Sequence, residues 1–73
     1  MSNRLPQTTP RKMIKALKKR GFWIRAVVGS HYIMTDGTHT TSVPYHNYEL
    51  SRDLLMEIIR QSGQTTDEIR PHL

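Results

Sequence analysis

The chain contains no cysteine, so neither disulfide bonds nor thiolate-bound zinc can stabilise it. No apolar run approaches the roughly 20 residues that a membrane-spanning helix needs, and no signal-peptide core follows Met1. With 73 residues, one tryptophan and one phenylalanine, the core must be small. We therefore expect one soluble, cytoplasmic domain over residues 1–73, in which residues 1–8 form a flexible tail.

Acidic residues are missing from the first 31 positions, which carry a charge of +8. The remaining positions carry −3, so that the whole chain has a net charge of +5. A one-sided charge of this kind attracts polyanions. It leaves two interpretations open, a surface that binds nucleic acid or a solvated lysine-rich face that keeps a small protein in solution.

Several catalytic and binding motifs are also lacking, among them a nucleotide-binding glycine loop and a Ser-His-Asp order. His31, His39 and His46 could in principle gather around a metal ion, but no cysteine or carboxylate occurs at ligand spacing among them. We therefore expect no metal site and no cofactor. Asp53 and Glu57 resemble a catalytic carboxylate pair, although a salt-bridged helix surface is the simpler interpretation.

Local signals predict the element order α-β-β-β-α with a short C-terminal extension, which is an α+β fold. Thr9 can cap the first helix, Pro10 suits its first position and Gly21 ends it. Asp36-Gly37 favours a two-residue type I′ hairpin turn. The predicted elements are a helix over 10–20, strands over 22–28, 31–35 and 38–43, a helix between Ser51 and Gly63, and a last turn capped by Thr66.

Alternation along the strands predicts which side chains face the core. A two-residue turn pairs Thr35 with Thr38 and His31 with Ser42, which places His31 on the outer face. The residues expected on the core face are Phe22, Ile24, Ala26, Tyr32, Met34, Thr41 and Val43. This arrangement requires an odd-numbered loop or a bulge around residues 28–30. The residues of the first strand expected on the His31 side are Trp23, Arg25 and Val27.

Basic residues cover the first helix on the side away from its apolar stripe. They are Arg11, Lys12, Lys15, Lys18 and Lys19. Such a face can lie along a phosphate backbone, and each neutralised phosphate then releases counterions. A solvated helix face is the alternative.

His31 is the candidate catalytic residue, because histidine is the side chain best suited to proton transfer near neutral pH. It follows Gly29-Ser30, where glycine allows the backbone to approach a phosphate and Ser30 can donate to it. We expect Arg25 and the basic helix to lie within reach. RNA cleavage needs little more than a base, an acid and cations around the phosphate. The spacing alone also fits an ordinary surface histidine.

The loop after the third strand supplies weaker candidates. His46 is the most plausible auxiliary group. Tyr45 and Tyr48 can stack on a base, although such tyrosines more often close the edge of a small core.

These motifs, in this order, resemble the HicA (YcfA-like) toxin family. The similarity runs through PRKMIKALKKRGF at 10–22, GSH at 29–31, Asp36-Gly37 and VPYH at 43–46. It continues through Glu49-Leu50, the Leu and Ile pairs of the last helix with Gly63, and TDE at 66–68. About residues 10–70 are covered.

The resemblance implies a double-stranded-RNA-binding-domain-like fold, with a three-stranded antiparallel sheet and the helices on one face. It implies the toxin of a type II toxin–antitoxin system, an mRNA-cleaving endoribonuclease that a HicB antitoxin silences. It also implies that the catalytic residue is the histidine of the Gly-Ser-His motif, His31. A non-catalytic RNA-binding module of the same fold is the alternative function.

Overall fold

The computed structural model describes residues 5–46 and 48–73. Its elements are α1 (Pro10–Lys19), β1 (Trp23–Val28), β2 (His31–Thr35), β3 (Thr40–Pro44), α2 (Arg52–Gln61), α3 (Thr66–Ile69) and a 3₁₀ turn over Arg70–His72. The three strands form one antiparallel sheet in the order β1-β2-β3. The predicted α+β fold is therefore confirmed.

The helix ends follow from local capping chemistry. The Thr9 hydroxyl accepts a hydrogen bond from the Lys12 amide, and Ser51 does the same for the Leu54 amide. The prediction that Thr66 caps the last helix is wrong by one residue. Thr65 is the cap and forms a reciprocal capping box with Glu68, which satisfies two amides at once.

The core lies between the sheet and the helices. Both α1 and α2 contact β3. The least exposed apolar side chains come from every layer and are Met13, Ala16, Leu17, Met34, Val43, Ile58 and Ile69. Among the described residues no helix packs on the other face of the sheet, where Trp23, Ala26 and His31 are exposed.

The β2–β3 register differs from the prediction. Thr35 pairs with Thr40 and His31 with Pro44, so the connection has four residues rather than two. A type I′ turn requires positive φ at Asp36, and no described residue other than glycine has a positive φ. The slip is by two residues, which preserves alternation. His31 therefore remains on the outer face, as predicted.

The β1–β2 connection has a two-residue loop at Gly29-Ser30, and the bulge lies further away, at Arg25. As a result, Ala26 pairs with Ile33 on the outer face and Val27 pairs with Tyr32 on the core side. The predicted sides of these two residues are wrong. The bulge is needed because the two-residue loop would otherwise invert the side chains of Phe22 and Ile24.

The segment before α1 is packed, in contrast to the tail predicted over residues 1–8. Leu5 and Thr8 are buried, and the Leu50 amide donates to the Thr8 carbonyl at 2.8 Å. Residues 1–4 lie outside the described residues. Within the described chain, none of the helices has the length and apolar character that spanning a bilayer requires.

Candidate active site and nucleic-acid interface

His31 begins the central strand of the sheet, between Val28 of β1 and Pro44 of β3. Its side chain is exposed on the face that carries no helix. Its Nδ1 lies 3.4 Å from the hydroxyl oxygen of Ser42, which is the diagonal neighbour on β3. No other hydrogen bond to this imidazole occurs among the described residues, so Nε2 remains available to a ligand.

The Gly29-Ser30 turn directly precedes His31 and is open to solvent. Gly29 has φ +60°, a conformation that favours glycine, and a side chain there would meet no atom within 4 Å. The Ser30 carbonyl accepts a hydrogen bond of 2.7 Å from the Tyr45 amide. The turn is thus fixed to the chain that leaves β3, while its outer surface is free for a ligand.

A cleft of about 370 Å³ lies on the other side of the sheet, between α1 and the strands. Its lining residues are Arg11, Ile14, Lys15, Lys18, Ile24, Tyr32 and Tyr45. The rings of Tyr32 and Tyr45 contact each other with centroids 5.0 Å apart and planes tilted by 36°. The cleft therefore combines three cations with two aromatic rings.

The basic helix and His31 lie on opposite faces of the sheet, because Tyr32 faces the cleft and its neighbour His31 faces away from it. The prediction that the basic helix lies within reach of His31 therefore applies only to a ligand that extends from one face of the sheet to the other. A ligand can contact both by passing around the end of the sheet, where Gly29 and Ser30 form the turn.

The remaining predicted RNA-binding residues are exposed but do not line the cleft. They are Lys12, Lys19 and Arg25. No salt bridge among the described residues involves any of the six basic side chains predicted to bind RNA. Their charge is therefore not neutralised by a described acidic partner.

His46 and His39 each contact a neighbour of their own. The His46 ring stacks on Tyr48 with centroids 4.8 Å apart, and His39 Nδ1 lies 3.5 Å from Asp36 Oδ2. Among the described residues, no three His, Cys, Asp or Glu side chains are grouped closely enough to hold a metal ion.

Two carboxylates have a shifted pKa, and both are remote from His31. The pKa of Asp36 is lowered because the His39 and Thr38 amides donate to its carboxylate. The pKa of Glu57 is lowered by the hydrogen bond from Arg60. This ion pair agrees with the salt-bridged surface predicted for this part of the helix. Asp36 follows the far end of β2, and Glu57 lies on α2.

Two features of the site were not evident from the sequence. Ser42 was predicted to pair directly with His31, but it contacts the imidazole from a diagonal position. Tyr32 was predicted only as a core residue, yet it lines the basic cleft with Tyr45. Strand alternation already placed Ser42 on the correct face, whereas no local signal joined Tyr32 to Tyr45.

Together, the fold and the site define a small basic α+β domain with an exposed histidine at a glycine turn. The sequence profile described as the HicA toxin of bacterial toxin–antitoxin systems matches residues 10–64, about three quarters of the chain. The chain therefore belongs to the HicA toxin family, and membership implies an antitoxin partner. No individual curated protein matches it significantly.

Proposed function

We propose that this protein is the toxin of a type II toxin–antitoxin system and acts as a metal-independent endoribonuclease on mRNA. The observation that carries the proposal is the exposed His31 imidazole at the Gly29-Ser30 turn, in a chain of the HicA toxin family. We assign His31 the role of general acid/base.

The reaction is a displacement at phosphorus. His31 Nε2 accepts a proton from the attacking 2′-hydroxyl or water, the new oxygen–phosphorus bond forms, and the bond to the 5′ oxygen breaks. The leaving oxygen then takes up one proton, so that the charge balances. A single histidine either serves both steps or leaves the second to water. Cations near the phosphate stabilise the charge that develops in the transition state.

Six basic side chains and the turn would hold the substrate. They are Arg11, Lys12, Lys15, Lys18, Lys19 and Arg25, with Gly29 and Ser30 at the turn. The absence of acidic residues through position 31 supports this assignment, because nothing nearby in sequence offsets the positive charge. We propose a HicB-type antitoxin as the protein partner, and the cytoplasm, where mRNA is found, as the location.

The test is cleavage of a long mRNA in EDTA by the native chain and by His31→Ala, with RNA binding measured in parallel. We expect the native protein to fragment the RNA and His31→Ala to bind it without cutting. A requirement for added metal would contradict the mechanism, and full activity of His31→Ala would contradict the assignment of His31.

The second candidate is an RNA-binding module without catalytic activity. One observation favours it: among the described residues, Ser42 is the only side chain that forms a hydrogen bond with His31, and no second acid or base does so. This alternative predicts that both proteins bind RNA equally and that neither cuts it.

A further inference from the structure

The cleft between α1 and the sheet has a composition that neither a solvated helix face nor a core edge requires. The basic residues Arg11, Lys15 and Lys18 line one side, and Tyr32 and Tyr45 line another. None of the lining residues is acidic. Its volume, about 370 Å³, falls within the range of about 300 to 1,000 Å³ typical of sites for small organic ligands.

The Tyr45 ring is available for stacking. It is 41% exposed, and Tyr32 supports it at a centroid distance of 5.0 Å. An aromatic ring held by a second ring, with cations alongside, is the arrangement with which proteins bind single-stranded nucleic acid. Bases stack on the ring while the cations contact the backbone. A duplex cannot use it, because its bases are stacked on one another.

The position of the cleft connects it with the turn. Tyr45 lines the cleft, and its backbone amide donates to the carbonyl of Ser30, the residue before His31. A strand with one base against Tyr45 is therefore next to the end of the sheet. Passing around the Gly29-Ser30 turn brings its backbone to the face that carries His31.

We propose that this cleft binds an unpaired nucleotide of single-stranded RNA. Tyr45 stacks on the base, and Arg11, Lys15 and Lys18 hold the adjoining phosphates. The proposal rests on the proposed function and adds the substrate class: RNA that is unpaired next to the cleaved bond. It also assigns two roles to the basic side chains of α1, since Lys12 and Lys19 lie outside the cleft and contribute only general electrostatic attraction.

The first test compares charge removal inside and outside the cleft. It uses His31→Ala protein, so that the RNA stays intact, and a labelled RNA of about ten nucleotides, single-stranded or in a duplex. We expect Lys15→Gln and Lys18→Gln to weaken single-strand binding more than duplex binding. Each should reduce the salt dependence of single-strand binding by about 0.7 in log–log slope. Lys12→Gln and Lys19→Gln should lower both affinities by the same factor.

The second test concerns stacking. We expect Tyr45→Ala to weaken single-strand binding by about 5-fold to 100-fold, whereas Tyr45→Phe retains it. Tyr48→Ala is the matched control, because Tyr48 is 66% exposed and does not line the cleft. A thermal melt of each variant establishes that it is folded.

The inference is overturned if folded Tyr45→Ala binds the single strand as tightly as its parent. It is also overturned if Lys15→Gln lowers single-strand and duplex affinity by the same factor, as expected for Lys12→Gln, because the cations would then act only as general charge. These outcomes are separate from a failure of the nuclease proposal. If RNA binds through Tyr45 but stays intact with the native protein, the proposed nuclease activity is contradicted, whereas the proposed nucleotide-binding role of the cleft is supported.

Discussion

At the scale of single residues, the contact between Ser42 and His31 determines which imidazole nitrogen faces a ligand. The serine hydroxyl lies 3.4 Å from Nδ1, and it can donate or accept depending on the tautomer. Because the two residues are diagonal neighbours on adjacent strands, the sheet fixes their separation. Ser42 is therefore a positioning residue, and its effect should be on the rate of proton transfer rather than on RNA binding.

We expect Ser42→Ala to lower the single-turnover cleavage rate by about 2-fold to 10-fold, the equivalent of one ordinary hydrogen bond. RNA affinity should stay unchanged. Ser42→Thr, which keeps the hydroxyl and suits a strand, should restore the rate. An equal loss in both variants would show that Ser42 contributes packing and does not orient His31.

Asp36 illustrates how one side chain can determine a turn. Its Oδ1 accepts hydrogen bonds from the amides of Thr38 at 2.9 Å and His39 at 2.6 Å. These bonds stabilise the charged carboxylate and lower its pKa from the ordinary value of 3.8. The contribution of Asp36 is thus fully present above pH 3.8 and is lost as the pH falls through its lowered, folded value.

We expect the amide resonances of Thr38 and His39 to shift together in an NMR titration, with a midpoint below pH 3.8. Asp36→Asn keeps an acceptor for the amides but removes the charge, so both resonances should lose this transition. A midpoint at or above 3.8 in the native protein would show that the two amides do not stabilise the carboxylate.

At the scale of elements, helices could be predicted from the sequence more closely than strand pairing. The capping residues Thr9 and Ser51 act on amides within the next turn, so a few neighbouring residues decide where each helix begins. Strand register depends on which groups form hydrogen bonds with the backbone amides of the turn. Asp36-Gly37 matches a two-residue hairpin turn, but the side chains of Asp36 and Thr35 satisfy the loop amides in a four-residue connection instead.

That longer connection brings the β2–β3 loop against the end of α2. The His39 ring lies over Gly63, so closely that a side chain at Gly63 would overlap it. Gly63 also has φ +74°, a backbone conformation that other residues adopt only with strain. The backbone conformation thus favours glycine here, and a side chain at this position would have to displace the His39 ring.

We expect Gly63→Ala to lower the free energy of unfolding by more than Gly21→Ala. The control residue has φ +92° but open space around it, so its cost should be that of the backbone alone, about 1 kcal/mol. The difference between the two variants measures the overlap with His39. Adding His39→Ala to Gly63→Ala should remove that difference in urea denaturation, and its persistence would contradict the packing account.

At the scale of the whole molecule, the sequence predicts the separation of charge but not the arrangement of the binding surface. The absence of acidic residues through position 31 is visible in the chain itself. The cleft cannot be recognised in the sequence, because Tyr45 meets Tyr32 and α1 only after the sheet has packed against the helix. The face of His31 could be predicted because a slip of two residues preserves alternation. Its position opposite the basic helix follows from the packing of α1 on the other side of the sheet.

The N-terminal segment adds an apolar side chain to the core of this small domain. Seventy-three residues without cysteine leave little apolar surface to bury, so even a residue outside the helices and strands contributes to the core. Leu5 is only 7% exposed, and it lines a cleft with Leu50 and Leu55 at the start of α2. The hydrogen bond from the Leu50 amide to the Thr8 carbonyl attaches the segment to the same loop.

We therefore expect Leu5→Ala to lower the free energy of unfolding by about 2 kcal/mol, the low end of the range for a buried leucine, because the neighbouring cleft already admits solvent. Gln7→Ala is the matched control, since Gln7 is exposed in the same segment and its truncation should change stability by less than about 0.5 kcal/mol. Urea denaturation of both variants measures the two values with a common slope. Equal midpoints would mean that the segment behaves in solution as a tail, and the stability of the domain would then come from the sheet and helices alone.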